Sequence, residues 1–179
     1  MKLLRLALIA SVVTVSALSL PACGGGGSAK SANVVAKDMP DGESWMGVYF
    51  HPTFGYLHLV EEDQNVIGKW QRTDKSAWGR LSGTKTGNVL HFTWEEHKYG
   101  LVGPSATVKG RGYFVYKKPG EIAELDGEYG LDDSEVGSDW HQVKQLRMQP
   151  DLNSITGDTP GGSGTPSGGF DEAPPPEKK

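Results

Sequence analysis

The hydrophobic pattern divides the chain into an apolar leader, a middle region of short alternating runs, and two ends with little periodicity. Between residues 44 and 149, aromatic and β-branched residues alternate with polar ones in runs separated by turn residues. Such spacing is typical of an all-β sandwich or barrel. No stretch of this region has the apolar period of a helix.

Eight strands are predicted in the middle region. The clearest runs from Val89 to Glu96, where Leu90, Phe92 and Trp94 lie on one face and polar residues on the other. Because the strands follow one another through short turns, we expect consecutive strands to pair as an antiparallel meander. The predicted strands cover residues 45–51, 55–61, 66–72, 78–84, 89–96, 106–117, 123–129 and 140–148.

Glycines lie inside these strands as well as between them, for example Gly79, Gly110 and Gly127. An interior glycine weakens a strand but permits the bend by which a sheet coils into a barrel. Closure also removes the exposed edge strands of an open sheet. We therefore expect an all-β domain that forms a small closed barrel of about eight strands, with a β-sandwich as the alternative.

The first 22 residues have the layout of an export signal. Lys2 and Arg5 provide a cationic start, and the apolar run from Leu6 to Leu20 ends in small residues. At 15 residues the run is shorter than the roughly 20 that a transmembrane helix needs. We therefore expect residues 1–22 to be a signal peptide that is removed.

The sequence Leu20-Pro21-Ala22-Cys23 resembles the lipobox of bacterial lipoproteins, in which the cysteine becomes thioether-linked to a diacylglyceryl group. Leu20 and Ala22 match the family pattern, whereas Pro21 replaces a commoner small or β-branched residue. Cys23 is the only cysteine, so acylation accounts for an exported thiol that has no disulfide partner. The alternative is an ordinary signal peptide with a stray thiol near its cleavage site.

This resemblance implies a protein that is held at a membrane surface by the diacylglycerol and acyl chains, such as palmitate, on Cys23. Such a protein does not span the bilayer. In enteric bacteria, an Asp after the lipid cysteine favours retention at the inner membrane, and Gly24 occupies that position here. The resemblance therefore implies the cell outer membrane.

The chain on either side of the strand-rich region lacks a periodic pattern. Four glycines at 24–27 begin a segment of tether composition, so residues 23–43 are expected to be flexible. Glycine and proline dominate after Pro150, and we expect a disordered tail over residues 150–179. The β-barrel-like domain is therefore predicted to occupy residues 44–149.

Charge and motifs narrow the function further. Loss of Lys2 and Arg5 with the signal lowers the net charge from −4 to −6, which disfavours binding to nucleic acid. The chain has no Gly-x-Ser-x-Gly elbow, phosphate loop or dinucleotide fingerprint. We expect no enzymatic activity and no cofactor.

Histidines and carboxylates give weak metal signals. His91 and His97 share strand parity, but residues six apart on a strand are separated by about 20 Å. A metal site would have to recruit His58 or His141 from other strands. The acidic residues of 132–139 do not fit the spacing of a calcium-binding EF-hand loop, so we expect a charged loop and no metal.

The middle region also resembles the calycin-like meander barrels, which comprise lipocalin-like and avidin-like domains. The resemblance covers roughly residues 44–149. It rests on the eight predicted strands and on Gly47-Val48-Tyr49-Phe50, a variant of the first-strand Gly-x-Trp motif in which Tyr49 replaces the tryptophan. It implies a barrel architecture, and no ligand residues are carried over from it.

Five aromatic residues are predicted to face one interior. A small eight-stranded barrel is either filled by its side chains or holds one small ligand. The five rings therefore form either the core or a candidate pocket for a small apolar ligand. They are Trp70, Phe92, Trp94, Phe114 and Tyr116.

These features favour an outer-membrane lipoprotein that acts as a non-catalytic binding or assembly module for a protein partner in the cell envelope. A calycin-like carrier with a small apolar ligand inside the barrel is the alternative. A hydrolase or metal-dependent enzyme on the same scaffold is a third possibility. A closed interior favours the first function, and a cavity lined by Trp70, Trp94 and Phe114 favours the second.

Overall fold

A computed structural model describes residues 29–157 as an antiparallel β-barrel. The predicted signal peptide, the lipobox and Cys23 lie outside the described residues, as does the end of the chain from residue 158. Two short 3₁₀-helices span Pro104–Ala106 and Leu152–Ser154. The strands are β1 (Gly47–His51), β2 (Gly55–Glu62), β3 (Asn65–Gln71), β4 (Ala77–Thr86), β5 (Val89–Lys98), β6 (Thr107–Lys117), β7 (Glu124–Leu131) and β8 (Ser138–Lys144).

The barrel closes because β1 pairs with both β2 and β8. Tyr49 and Phe50 of β1 lie opposite Lys144 and Val143 of β8. All other pairings join strands that are consecutive in the chain, and all are antiparallel. The predicted closed meander barrel is confirmed, and the β-sandwich alternative is wrong.

The last strand differs most from its predicted bounds of 140–148, since β8 runs from Ser138 to Lys144. The Gln145 N–H still donates to the carbonyl of Val48 at 2.8 Å. Three residues later, the Met148 N–H donates back to the Gln145 carbonyl at 3.2 Å, which closes a turn and ends the extended backbone. Alternation of polar and apolar residues alone did not show this turn.

The barrel interior is packed by pairing large side chains with glycines on neighbouring strands. Gly79 lies opposite Trp70, and Gly112 lies opposite Phe92. A Cβ on Gly112 would lie 2.7 Å from the tip of the Phe92 ring. Side chains at these positions would displace rings that are already buried, so the interior glycines make room for the aromatic core.

The connections between strands fall into two sets at opposite ends of the barrel. The connections after β2, β4 and β6 lie at one end, which we call the plugged end. Those after β1, β3, β5 and β7 lie at the other, the far end. Every loop discussed below belongs to one of these two ends.

Trp45 gives the plugged end its name because its side chain is fully buried there. Its ring packs edge-on against Tyr116, with centroids 5.5 Å apart. Its backbone N–H donates to Glu61 at 2.7 Å, and its carbonyl accepts from the Tyr49 hydroxyl at 3.0 Å. These contacts fix the indole across the barrel opening.

Residues 30–43, which fall in the predicted flexible tether, differ from that expectation because they bind along the barrel wall. The Glu135 N–H donates to the carbonyl of Lys30 at 2.7 Å, and the Ala32 N–H donates to the Glu135 carboxylate at 2.9 Å. Further along, the Lys37 N–H donates to Asn88 at 2.7 Å. We call residues 30–37 the N-terminal strap.

Residues 150–157, which fall in the predicted disordered tail, also pack on the barrel. Ile155 is buried, and the Asp151 N–H donates to Nδ1 of His58 at 2.9 Å. The carbonyl of Thr156 accepts from the Tyr99 hydroxyl at 3.2 Å. One apolar anchor and two hydrogen bonds hold this segment, which we call the C-terminal strap, against the outer faces of β2 to β4.

Candidate functional site

The five aromatic residues of the predicted pocket all lie in the barrel core. Trp70, Phe92, Trp94, Phe114 and Tyr116 are buried and belong to one hydrophobic cluster. The Phe92 and Phe114 rings have centroids 4.9 Å apart. The interior is therefore filled by ring-to-ring packing at these positions, and a role in ligand binding stays a prediction.

Trp140 of β8, which the sequence analysis did not include, lies at the centre of this cluster. Its ring meets those of Trp70, Phe92 and Phe114 at centroid distances of 5.2, 5.8 and 5.1 Å. Its Nε1, and both polar side-chain atoms of the fully buried Gln142, have no hydrogen-bond partner among the described residues. Polar atoms buried in this way are unusual inside a protein.

An ion pair closes the interior at the far end. The carboxylate of Glu96 faces inward, where it accepts from both Nε and an Nη of Arg72 at 2.9 Å and from Nε1 of Trp70 at 3.2 Å. The Arg72 guanidinium lies 5.2 Å from the centre of the Phe54 ring. The Glu96 hydrogen bonds raise the pKa of Arg72 and hold its guanidinium in the charged form.

A second charged cluster closes the plugged end. Glu43 accepts from the Tyr116 hydroxyl, from Nζ of Lys118 at 2.6 Å and from Nζ of Lys144 at 3.4 Å. The hydrogen bonds from Lys118 and Tyr116, with the charge of Lys144, lower the pKa of Glu43 to about 2. This cluster joins the chain entering β1 to the ends of β6 and β8.

The histidines have separate partners. His91 pairs with Glu135 at 2.5 Å, and His97 stacks on Trp78 with ring centroids 4.5 Å apart. Glu135 lies in the loop that was expected to be charged, and it is buried between His91 and the N-terminal strap. Its carboxylate thus serves to fix the strap.

One group of metal-type donors occurs within residues 29–157, on the outer face of β7 and β8. The side-chain donors of Glu124, Asp126 and His141 lie within 4.8 Å of one another. Asp126 is bound to His141 and to Nζ of Lys117, the latter at 2.8 Å. Burial alone would raise the pKa of Asp126, but Lys117 and His141 lower it, so the Asp126 carboxylate already has partners within the protein.

A broad groove crosses the outer wall of β3 to β6. It has a volume of about 910 Å³ and is bordered by Leu152 of the C-terminal strap and by Asp132 and Asp133 of the far-end loop. We call it the basic groove. The outward side chains on its floor are Ile67, Lys69, Arg80, Ser82, Thr93, Glu95, Lys109 and Arg111.

Strand register aligns the charges of the basic groove in one row. Lys69 lies opposite Arg80, which lies opposite Glu95, and Glu95 lies opposite Lys109. Arg80 pairs with Glu95. Burial alone would raise the pKa of Glu95, but His97 and Arg80 hold it below its usual value. Four strands therefore present three cations and one carboxylate, which is paired with Arg80, side by side.

Several cations of the groove form no ion pair within the described part of the chain, although Asp132 and Asp133 lie at its border. Lys69, Lys109 and Arg111 take part in none of its ion pairs. Like charges directly opposite on neighbouring strands, such as Lys69 and Arg80, destabilise a sheet. The Lys69–Arg80 pair thus has a cost for folding, and within the row only Arg80 gains an ion pair, with Glu95.

The two straps leave this part of the wall open. The N-terminal strap lies over β6 and β7, where Val34 borders a groove with Tyr113 and Val115. The C-terminal strap covers the outer faces of β2 to β4 near His58 and Trp78. The basic groove lies between them, with its cations exposed or half-exposed.

The parity of Lys109 and Arg111 was visible in the sequence, since both alternate with the interior residues of β6. The row across four strands was not, because it depends on the register that places Arg80 beside Lys69 and Lys109 beside Glu95. Sequence reasoning therefore found the interior aromatics and missed the outer groove.

Comparison with known proteins returned no matching family model, no matching curated protein and no matching solved structure. Within residues 29–157, no helix has the length and apolar character needed to cross a membrane.

Proposed function

We propose that this protein is a lipid-anchored, non-catalytic binding module of the bacterial cell envelope, and that its basic groove takes an acidic segment of a partner protein. The observation that carries the proposal is the row of cations Lys69, Arg80 and Lys109 on β3, β4 and β6, with Glu95 of β5 between the last two, joined by Arg111. Only one of these four cations has a carboxylate partner among the described residues.

The chemistry of the groove favours an acidic, extended peptide. Its floor is the outer wall of four paired strands, and its apolar positions Ile67 and Leu152 flank the charged row. Carboxylates of a bound segment would relieve the repulsion between Lys69 and Arg80. The net charge of −6 after signal removal makes this basic patch a local exception, and an opposite charge steers a partner to it.

The anchor in this proposal is Cys23 of the lipobox Leu20-Pro21-Ala22-Cys23. A diacylglyceryl cysteine with a further acyl chain gives stable attachment to a bilayer. Because Gly24 follows the cysteine, where an Asp would favour the inner membrane, the proposed location is the outer membrane. The lipid concentrates the domain at the membrane, and the groove supplies specificity.

The test combines charge reversal with affinity measurement. The double variant Lys109→Glu, Arg111→Glu is compared with the wild type for capture of its envelope partner after crosslinking. Two lost ion pairs at about 0.5–1 kcal/mol each weaken binding about tenfold, and added repulsion weakens it further. Binding by the wild type should also weaken as the salt concentration rises, since salt screens the attraction between charges and shortens its range.

A matched control reverses two cations outside the groove, Lys75→Glu and Arg147→Glu, which are exposed. This control has the same net charge as the groove variant and should keep wild-type affinity. Equal loss in both variants would show that only overall charge matters. Full retention by the groove variant would refute the groove as the binding site.

A carrier function is the second candidate, and the unpartnered polar atoms of Trp140 and Gln142 favour it. They lie two positions apart on the inner face of β8, beside the rings of Phe114 and Trp70. A small ligand with an apolar body and one polar end would match them. Organic extraction of the purified protein followed by mass spectrometry tests this, and Gln142→Leu should lower the ligand yield.

A further inference from the structure

We propose that the far end of the barrel faces the lipid bilayer and that the loop tip Leu101–Val102 contacts it. The inference rests on the proposed lipid at Cys23. It adds an orientation of the domain that an anchor on a long flexible tether would leave open.

The described chain begins beside the far end of the barrel. The carbonyl of Lys30 and the N–H of Ala32 both bind Glu135, at 2.7 and 2.9 Å, in the far-end connection after β7. Lys37 binds Asn88 in a plugged-end connection. The N-terminal strap therefore runs from the far-end loop toward the plugged end, and the chain leading back to Cys23 leaves from beside the far-end loop.

The chain between Cys23 and the first described residue, Ala29, is short. Cys23 lies six positions before Ala29, and six extended residues span at most about 21 Å. Strand β6 has 11 residues; at about 3.3 Å per residue and a tilt of about 40°, it rises about 28 Å along the barrel axis. A lipid on Cys23 thus reaches the far end easily, and its reach is shorter than the barrel is tall.

The far end presents exposed apolar side chains. Val102 is 93 % exposed, Leu101 51 % and Leu131 58 %. Gly100 and Gly103 on either side of the tip have φ angles of 73° and 88°, which give a tight projecting loop. Apolar side chains at a projecting loop tip gain free energy by entering the bilayer interface.

Exposed apolar residues also occur at the plugged end, where Met46 is 45 % and Ile122 43 % exposed. Exposure alone therefore does not select an end, and the exit of the chain does. The loop tip from Gly100 to Pro104 has no charged side chain. The contact is accordingly apolar, and it should form on a bilayer without net charge.

The experiment places one fluorophore on the acylated full-length protein. In Val102→Cys the new thiol alone is free for labelling, because the sulfur of Cys23 is held in the thioether. The labelled protein is inserted into phosphatidylcholine vesicles that contain a nitroxide-bearing lipid. Fluorescence at residue 102 should be quenched several-fold more than in Ile122→Cys, whose residue is also apolar and exposed but lies at the plugged end.

Equal quenching at the two positions, or stronger quenching at 122, would overturn the orientation. If the protein still floats with the vesicles and its intact mass includes the acyl chains, the anchor stands and this inference alone fails. A protein that carries no acyl chain and does not float would refute the proposed anchor and, with it, this inference.

Discussion

Gly79 of β4 lies directly opposite Trp70 of β3 and against its indole ring. A Cβ on Gly79 would overlap the ring. Because Trp70 is buried and its Nε1 is held by Glu96, the ring has no space into which to move. Gly79→Ala should lower the free energy of unfolding by about 2 kcal/mol, the usual cost of overpacking a core. Urea denaturation measures this change.

Gly120→Ala is the matched control, since a Cβ there meets nothing within 4 Å. Its free energy of unfolding should stay within about 0.5 kcal/mol of the wild type. A Gly79→Ala variant as stable as Gly120→Ala would contradict the packing described for the interior glycines.

The Glu43 cluster predicts a specific dependence of stability on pH. The pKa of Glu43 is lowered to about 2 in the folded protein, so its contribution is fully present above pH 4.5 and is lost as the pH falls toward 2. Glu43→Gln should cost about 1 kcal/mol at pH 7, a modest value because the group is partly exposed. This difference from the wild type should shrink between pH 4.5 and 2 in denaturation curves, whereas a constant difference would show that Glu43 acts without its charge.

The C-terminal strap should loosen in mild acid. Burial lowers the pKa of His58 below its usual value, and Nδ1 of the neutral ring accepts from Asp151 at 2.9 Å. Below the ordinary histidine pKa of about 6.5, the unfolded state binds the proton more readily, so the docked strap loses stability as pH falls. Hydrogen exchange of residues 150–157, corrected for intrinsic rates, should speed up between pH 7.5 and 5.5.

His58→Asn is the control for the strap, because its amide oxygen can replace Nδ1 as acceptor and does not titrate. Exchange of residues 150–157 in this variant should be independent of pH after the same correction. A pH effect of equal size in the variant would assign the loosening to another group.

The buried amide of Gln142 predicts an unusual gain in stability. Gln142 is fully buried, and neither polar side-chain atom has a partner among the described residues. Gln142→Met keeps the volume and removes the buried polar atoms, so the free energy of unfolding should rise by about 1 kcal/mol. A loss of stability in thermal and urea unfolding would show that the amide is hydrogen-bonded in solution.

The interior of the barrel was predictable from the sequence because one strand repeats a simple rule. Leu90, Phe92 and Trp94 alternate with polar residues, and the structure places all three inside. Interior glycines correctly indicated a closed sheet, since Gly79 and Gly112 lie where rings approach from the neighbouring strand. Local alternation is sufficient for this level of description.

The straps and the basic groove were not predictable because they depend on contacts between residues far apart in the chain. The N-terminal strap has little periodic hydrophobicity and is held mainly by backbone bonds to Glu135 and Asn88. The groove depends on the register that joins Lys69, Arg80 and Lys109 in one row. Neither backbone partners nor register can be derived from composition.

Photocrosslinking from Thr93 tests the central claim most directly. Thr93 is exposed on the floor of the basic groove, and Asp139 is an exposed control on the wall of β7 and β8. A photoreactive residue at 93 should crosslink to one envelope protein in cells, and this product should disappear when Lys109 and Arg111 are changed to Glu. The same product from position 139, or a product at 93 that survives charge reversal, would contradict binding through the groove.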